Sequence, residues 1–137
     1  MAQHPNAIRV MAGLQARARG KFDDEDMAIL NDVFDDNVTW HSTGRGAIQQ
    51  DVHGKEGVLG AWRSVAEQSG DSFKLEPGTV FGDDEHVIGV SRISAKRGDK
   101  TLDMSEVEIF HMTPEGKISD FWGIAEDEDV LAAFWVD

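Results

Sequence analysis

The sequence predicts an α+β fold in which a curved antiparallel sheet wraps around N-terminal helices, forming a cone with an internal pocket, in the order α-α-β-α-β-β-β-β-α. Three observations lead there. Apolar residues recur at helical spacing up to about residue 34 and again in the segment that closes near Gly70. From Phe73 onward the period changes to two and holds almost to the end. Turn signals then cut this second half into four strands: GDDE (82–85), RGDK (97–100) and PEG (114–116).

Pro5 suits the first turn of a helix, and Ile8, Met11, Leu14 and Ala18 follow at helical spacing until Gly20. Asp23 or Asp24 caps a second helix with Met27, Leu30 and Phe34 on its apolar face. The first strand runs from Val38 to about Ser42 in VTWHSTGRG, and its glycine-bearing loop passes through QQDVHG to a third helix. Val58, Leu59, Trp62, Val65 and Ala66 form the buried face of that helix, and Gly70 closes it. Phe73, Leu75, Thr79 and Phe81 then alternate with polar positions, and HVIGVSRISA, TLDMSEVEIFHM and KISDFWGIA complete an antiparallel meander. EDEDVLAAFWVD ends the chain as a short amphipathic helix presenting Val130, Leu131, Phe134 and Trp135. No repeat, low-complexity tract or linker interrupts residues 1–137, which read as one domain.

Charge narrows the partners. Thirteen Lys plus Arg against 26 Asp plus Glu give a formal net charge of −13, which repels a phosphate backbone, so nucleic acid is not expected. The acids cluster in DDED (23–26), DD (35–36), DDE (83–85) and EDED (126–129), each at an element boundary, as solvated turns and helix N-termini do. The chain has no cysteine, which removes disulfides and thiolate chemistry. No apolar run approaches the ~20 residues of a membrane span and no signal peptide is visible, so a cytoplasmic protein without a membrane partner is expected.

The element order, the strand and loop VTWHSTGRG, the helix entry VHGKEGVLGAW and the closing hairpin EVEIFHMTPEGKISDFWGIAED together resemble the nuclear transport factor 2-like superfamily. Within it the chain is most similar to SnoaL-like polyketide cyclases and ketosteroid isomerase-like proteins, over roughly residues 5 to 135. The resemblance implies a proton-shuttling group at the end of the first strand, a position that falls on His41, and a second acid about eight residues before Gly116, which falls on Glu108. It also implies a homodimer formed through the outer face of the sheet. The family's oxyanion site takes a tyrosine from the first helix, and this chain has none. A tryptophan N–H or a water must then supply that half of the site.

The residues themselves leave alternatives open. In a strand Val38 and Trp40 share one face, Thr39 and His41 the other, so His41 either meets the pocket or sits outside it. Glu106 and Glu108 share a face with Leu102, Met104, Phe110 and Met112, where they are either buried, which calls for a raised pKa or a cationic partner, or part of an ordinary cross-strand ion pair on a solvent or dimer face. Arg92 is that partner if Arg97 faces Thr101 across the turn, which sets Arg92 opposite Glu106. Asp120 is a further acid candidate on the last strand, beside an odd face carrying Phe121. Trp40, Trp62, Phe110 and Trp122 are core aromatics with rings available to a ligand, and His53 stands at the helix entry as part of a lid. No HxH, HExxH or DxDxDG pattern supports a metal, and no cofactor is expected.

The leading expectation is cofactor-free acid/base chemistry on a hydrophobic carbonyl-bearing small molecule, through an enol or enolate, ending in isomerisation, cyclisation or dehydration. His41 would take the proton and Glu108, held neutral, would support the oxygen. The alternatives are a non-catalytic small-molecule-binding or dimerisation module, or an epoxide hydrolase of the same fold using Arg92 with Glu106, Glu108 or Asp120.

Overall fold

A computed structural model describes residues 3–137. Helix α1 (Pro5–Arg19) and helix α2 (Asp24–Val33) lead into strand β1 (Phe34–His41); a two-residue strand β2 (Val52–His53) precedes helix α3 (Lys55–Gln68). Strands β3 (Lys74–Gly82), β4 (His86–Arg97), β5 (Lys100–Met112) and β6 (Ile118–Ala125) follow, and helix α4 (Glu128–Trp135) closes the chain. The six strands form one curved, unclosed sheet in the order β2-β1-β6-β5-β4-β3. Every neighbouring pair is antiparallel except β1 and β6, which run parallel. No described helix is long and apolar enough to cross a membrane.

Local signals account for the helix ends. The Asp23 side chain accepts from Asp26 N–H to cap α2, and Asp127 does the same for Val130 N–H at α4. The apolar stripe of α1 differs from the expected one. Ile8 is 55% exposed, while Ala7, Val10, Gly13 and Leu14 are buried. Two stripes at helical spacing compete in this helix, and contact with the sheet and α2 selects the one on which Arg17 lies seven residues beyond Val10. Phe34, expected on the face of α2, is the buried first residue of β1.

Two register facts decide which side chains face inward. Arg97 pairs with Lys100, so Gly98 and Asp99 alone form the β4–β5 turn, with Gly98 at φ +59°. The expected pairing of Arg97 with Thr101 is thus one residue out: Arg92 lies opposite Ser105, and Ser91 opposite Glu106. One residue of slip transfers a side chain to the other face of the sheet. In β3 the register shifts between Pro77 and Val80, so Val80 turns inward and Phe81 is left 58% exposed, against the alternation expected for that strand.

Candidate functional site

The concave side of the sheet and the helices enclose a cavity of about 90 Å³, several times the ~10–15 Å³ that one water needs. Phe34, Trp40, Trp62, Phe73, Phe110 and Phe121 give it aromatic walls. Phe121 sits at the centre of that wall, with ring centroids 5.7 Å from Trp40, 5.8 Å from Phe34 and 5.8 Å from Phe110. Trp40 and Phe121 are parallel-register partners, which is why β1 and β6 present their rings to the same side.

The cavity holds three ionisable groups: Arg17 from α1, and Glu106 and Glu108 from β5. Glu108 is 2% exposed, and among the described residues neither carboxyl oxygen has a hydrogen-bond partner. Burial pushes its carboxyl above the usual range, while the neighbouring Ser91 hydroxyl and the Arg17 charge pull the other way. Glu106 is raised to about 7, again chiefly by burial, with Arg17 opposing and Glu108 adding to the rise. Both carboxyls lie over glycines. A Cβ at Gly123 would stand 3.0 Å from Glu106 Oε1, and one at Gly89 would stand 3.1 Å from Glu108 Oε2. Trp62 Nε1 and Ser91 Oγ are two further buried polar atoms without partners among the described residues.

The Arg17 guanidinium is stacked among rings: its carbon lies 4.5 Å from the Trp62 centroid, 5.7 Å from Phe73 and 5.9 Å from Trp40. Burial lowers it from the usual guanidinium range, and Glu106 and Glu108 raise it. The sequence reading missed Arg17. Its signal was available as the lone cation at the i+7 position from Val10 and i+3 from Leu14, on a helix with two candidate stripes.

His41 stands elsewhere. Its Nε2 lies 2.9 Å from Asp120 Oδ1 and its Nδ1 lies 3.2 Å from Asp51 Oδ2, and its ring stacks on Trp122 with 4.5 Å between centroids. It is absent from the cavity lining, so His41 and Glu108 do not share a space. Asp120 is held by the same imidazole, which depresses its carboxyl below the ordinary range. Trp122 borders the cavity from its place on β6 while its ring lies against His41. Arg92 faces out and pairs with Asp103 at 2.8 Å, so it does not compensate Glu106. His53 is exposed on β2, with Nδ1 3.1 Å from Thr39 Oγ1. Of the residues singled out in the sequence, Trp40, Trp62, Glu106, Glu108, Phe110, Phe121 and Trp122 border the cavity; His41, His53, Arg92 and Asp120 do not. No cluster of three or more metal-ligating side chains occurs among the described residues.

Residues 16–121 match the model of the SnoaL-like domain, a span that carries most of the sheet and the cavity acids. This chain belongs to the SnoaL-like domain family. Bal32a, from a soil-derived mobile gene cassette, is 32% identical with a TM-score of 0.84, each chain covered over 96%. IdmH, a proposed polyketide cyclase from Streptomyces antibioticus, is 15% identical with a TM-score of 0.72, over 97% of this chain and 100% of its own. TerC, co-crystallised with polyporic acid, is 16% identical with a TM-score of 0.72, over 90% of this chain and 92% of its own. No curated protein matches the sequence. At such identities IdmH and TerC share the fold with this SnoaL-like protein.

Proposed function

We propose that this SnoaL-like protein is a cofactor-free acid/base enzyme acting on a small hydrophobic carbonyl compound through an enolate. The observation that carries the reading is the pair of acids two residues apart on β5, both raised, in a cavity walled by aromatic rings. A carboxyl near 7 is partly ionised at neutral pH, where a general base is most effective. Glu106 therefore takes the proton from the carbon next to the carbonyl, replacing His41 in that role. Glu108, kept neutral by burial, donates to the developing oxyanion, and Trp62 N–H is a second unpaired donor in the same cavity. The proton returned by Glu106 to another carbon gives isomerisation; attack of the enolate on a second carbonyl gives cyclisation. The neighbours named for a polyketide cyclase and for a bound polyporic acid support a conjugated oxygenated substrate. The test is solvent-deuterium exchange into 2-tetralone followed by NMR. The wild type is expected to accelerate exchange over buffer at least a hundredfold and Glu106→Gln to abolish the acceleration. A rate equal to buffer, or acceleration retained in the variant, overturns the reading.

The outer face of the sheet supports a homodimer. Phe81, Val90 and Ile124 are exposed there, and cross-strand pairing places Phe81 beside Ile88, Ile88 beside Ile109, and Val90 and Ile124 on either side of Val107. Adjacent apolar rows of this kind are costly to leave in water.

A further inference from the structure

We propose that Arg17 is the receptor for a carboxylate on the ligand, so that the cavity takes planar, conjugated acids in preference to neutral molecules of the same shape. The inference rests on the cavity being the substrate site, and it names the class of substrate that site selects.

Arg17 is the single Lys or Arg among the residues lining the cavity. Within the described residues its guanidinium makes no hydrogen bond, and no carboxylate oxygen comes within ion-pair distance of it, although Glu106 and Glu108 are near enough to feel its charge. Arg9, Arg19, Arg45, Arg92 and Arg97 each pair with a carboxylate, and Arg63 lies over the Phe22 ring outside the cavity. Arg17 is half-buried, and its five N–H donors are open to the cavity, where a ligand can meet them. Rings of Trp62, Trp40 and Phe73 lie around the cation, and a guanidinium's planar fork of donors suits a planar two-oxygen acceptor. Both facing acids are raised by burial and neither forms an ion pair with it among the described residues. In a chain of net charge −13 this places an isolated positive site behind aromatic walls.

The experiment is a titration of the full chain with benzoate and with benzamide, read by tryptophan fluorescence and calorimetry, on wild type, Arg17→Lys, Arg17→Met and Glu106→Gln. Benzoate is expected to bind at least tenfold more tightly than benzamide. Arg17→Lys, which keeps the charge and loses the fork, is expected to weaken benzoate about tenfold, and Arg17→Met to erase the preference. Glu106→Gln keeps it. Equal binding of the two probes, binding of neither, or a benzoate preference that survives in folded Arg17→Met overturns the proposal. The wild-type comparison decides even if Arg17→Met does not fold. A benzoate preference without deuterium exchange overturns only the acid/base reading; exchange without the preference overturns only this one.

Discussion

His41 and Trp122 stack ring on ring at 4.5 Å on the side of the sheet opposite the acids, and Asp51 and Asp120 hold the two imidazole nitrogens. This contact takes the histidine out of the cavity, so the proposed proton chemistry rests on β5. His41→Ala is therefore expected to change deuterium exchange less than threefold while lowering stability by about 1 kcal/mol through the lost stacking and hydrogen bonds. Exchange rates and urea denaturation of the same preparation check both halves.

The partnership also makes a pH prediction. Asp120 titrates below its ordinary value, with the hydrogen bond from His41 the largest cause. A depressed carboxyl contributes stability that is present above the unfolded pKa and lost as pH falls through the folded one. Asp120→Asn is expected to be less stable than wild type near pH 6, by no more than about 1 kcal/mol since the pair is partly exposed. The difference should shrink progressively as pH falls below about 4. Urea midpoints across that range test it.

Glu106 has the opposite sign. Its carboxyl rises from 4.5 to about 7, so the folded state holds a proton that the unfolded chain releases. The stability from this group is complete below 4.5 and lost as pH rises through about 7. The wild type is expected to lose up to about 3 kcal/mol over that interval relative to Glu106→Gln, whose curve should be flatter. Parallel curves would remove the perturbed acid from the site.

Gly123→Ala probes position without removing a functional group. The new Cβ would come within 3.0 Å of Glu106 Oε1, the far end of a flexible side chain. Stability should fall by less than about 1 kcal/mol while exchange falls at least tenfold, because the base leaves its place by a few tenths of an ångström or more. Circular dichroism melts and exchange rates separate the two effects.

On the outer face, Ile124→Asp is expected to shift the protein from the mass of two chains to that of one in light scattering, since the residue lies in the exposed apolar rows and is 43% exposed. Arg92→Ala, by contrast, should leave exchange unaltered and stability within about 0.5 kcal/mol, as its Asp103 partner is a surface pair.

The order of elements, the caps at Asp23 and Asp127, and the acid pair of β5 among Leu102, Met104 and Phe110 were legible in the chain, because each is a local pattern of period, turn residue or parity. Three things were not. The Arg97–Lys100 turn differs from the expected pairing by one residue, and that slip turns Arg92 from a partner of Glu106 into a surface side chain. The parallel pairing of β1 with β6 joins residues about eighty positions apart and determines that Trp40 meets Phe121 inside while His41 meets Trp122 outside. Packing of α1 on the sheet and α2 chose between two stripes of similar hydrophobicity, and so brought Arg17 among the rings. The sequence by itself determined the helices, the five longer strands and the face of β5 that the two acids share, since those depend on neighbours in the chain. Only the tertiary structure decided which polar group joins those acids, because register and helix rotation are set by the packing of the whole molecule.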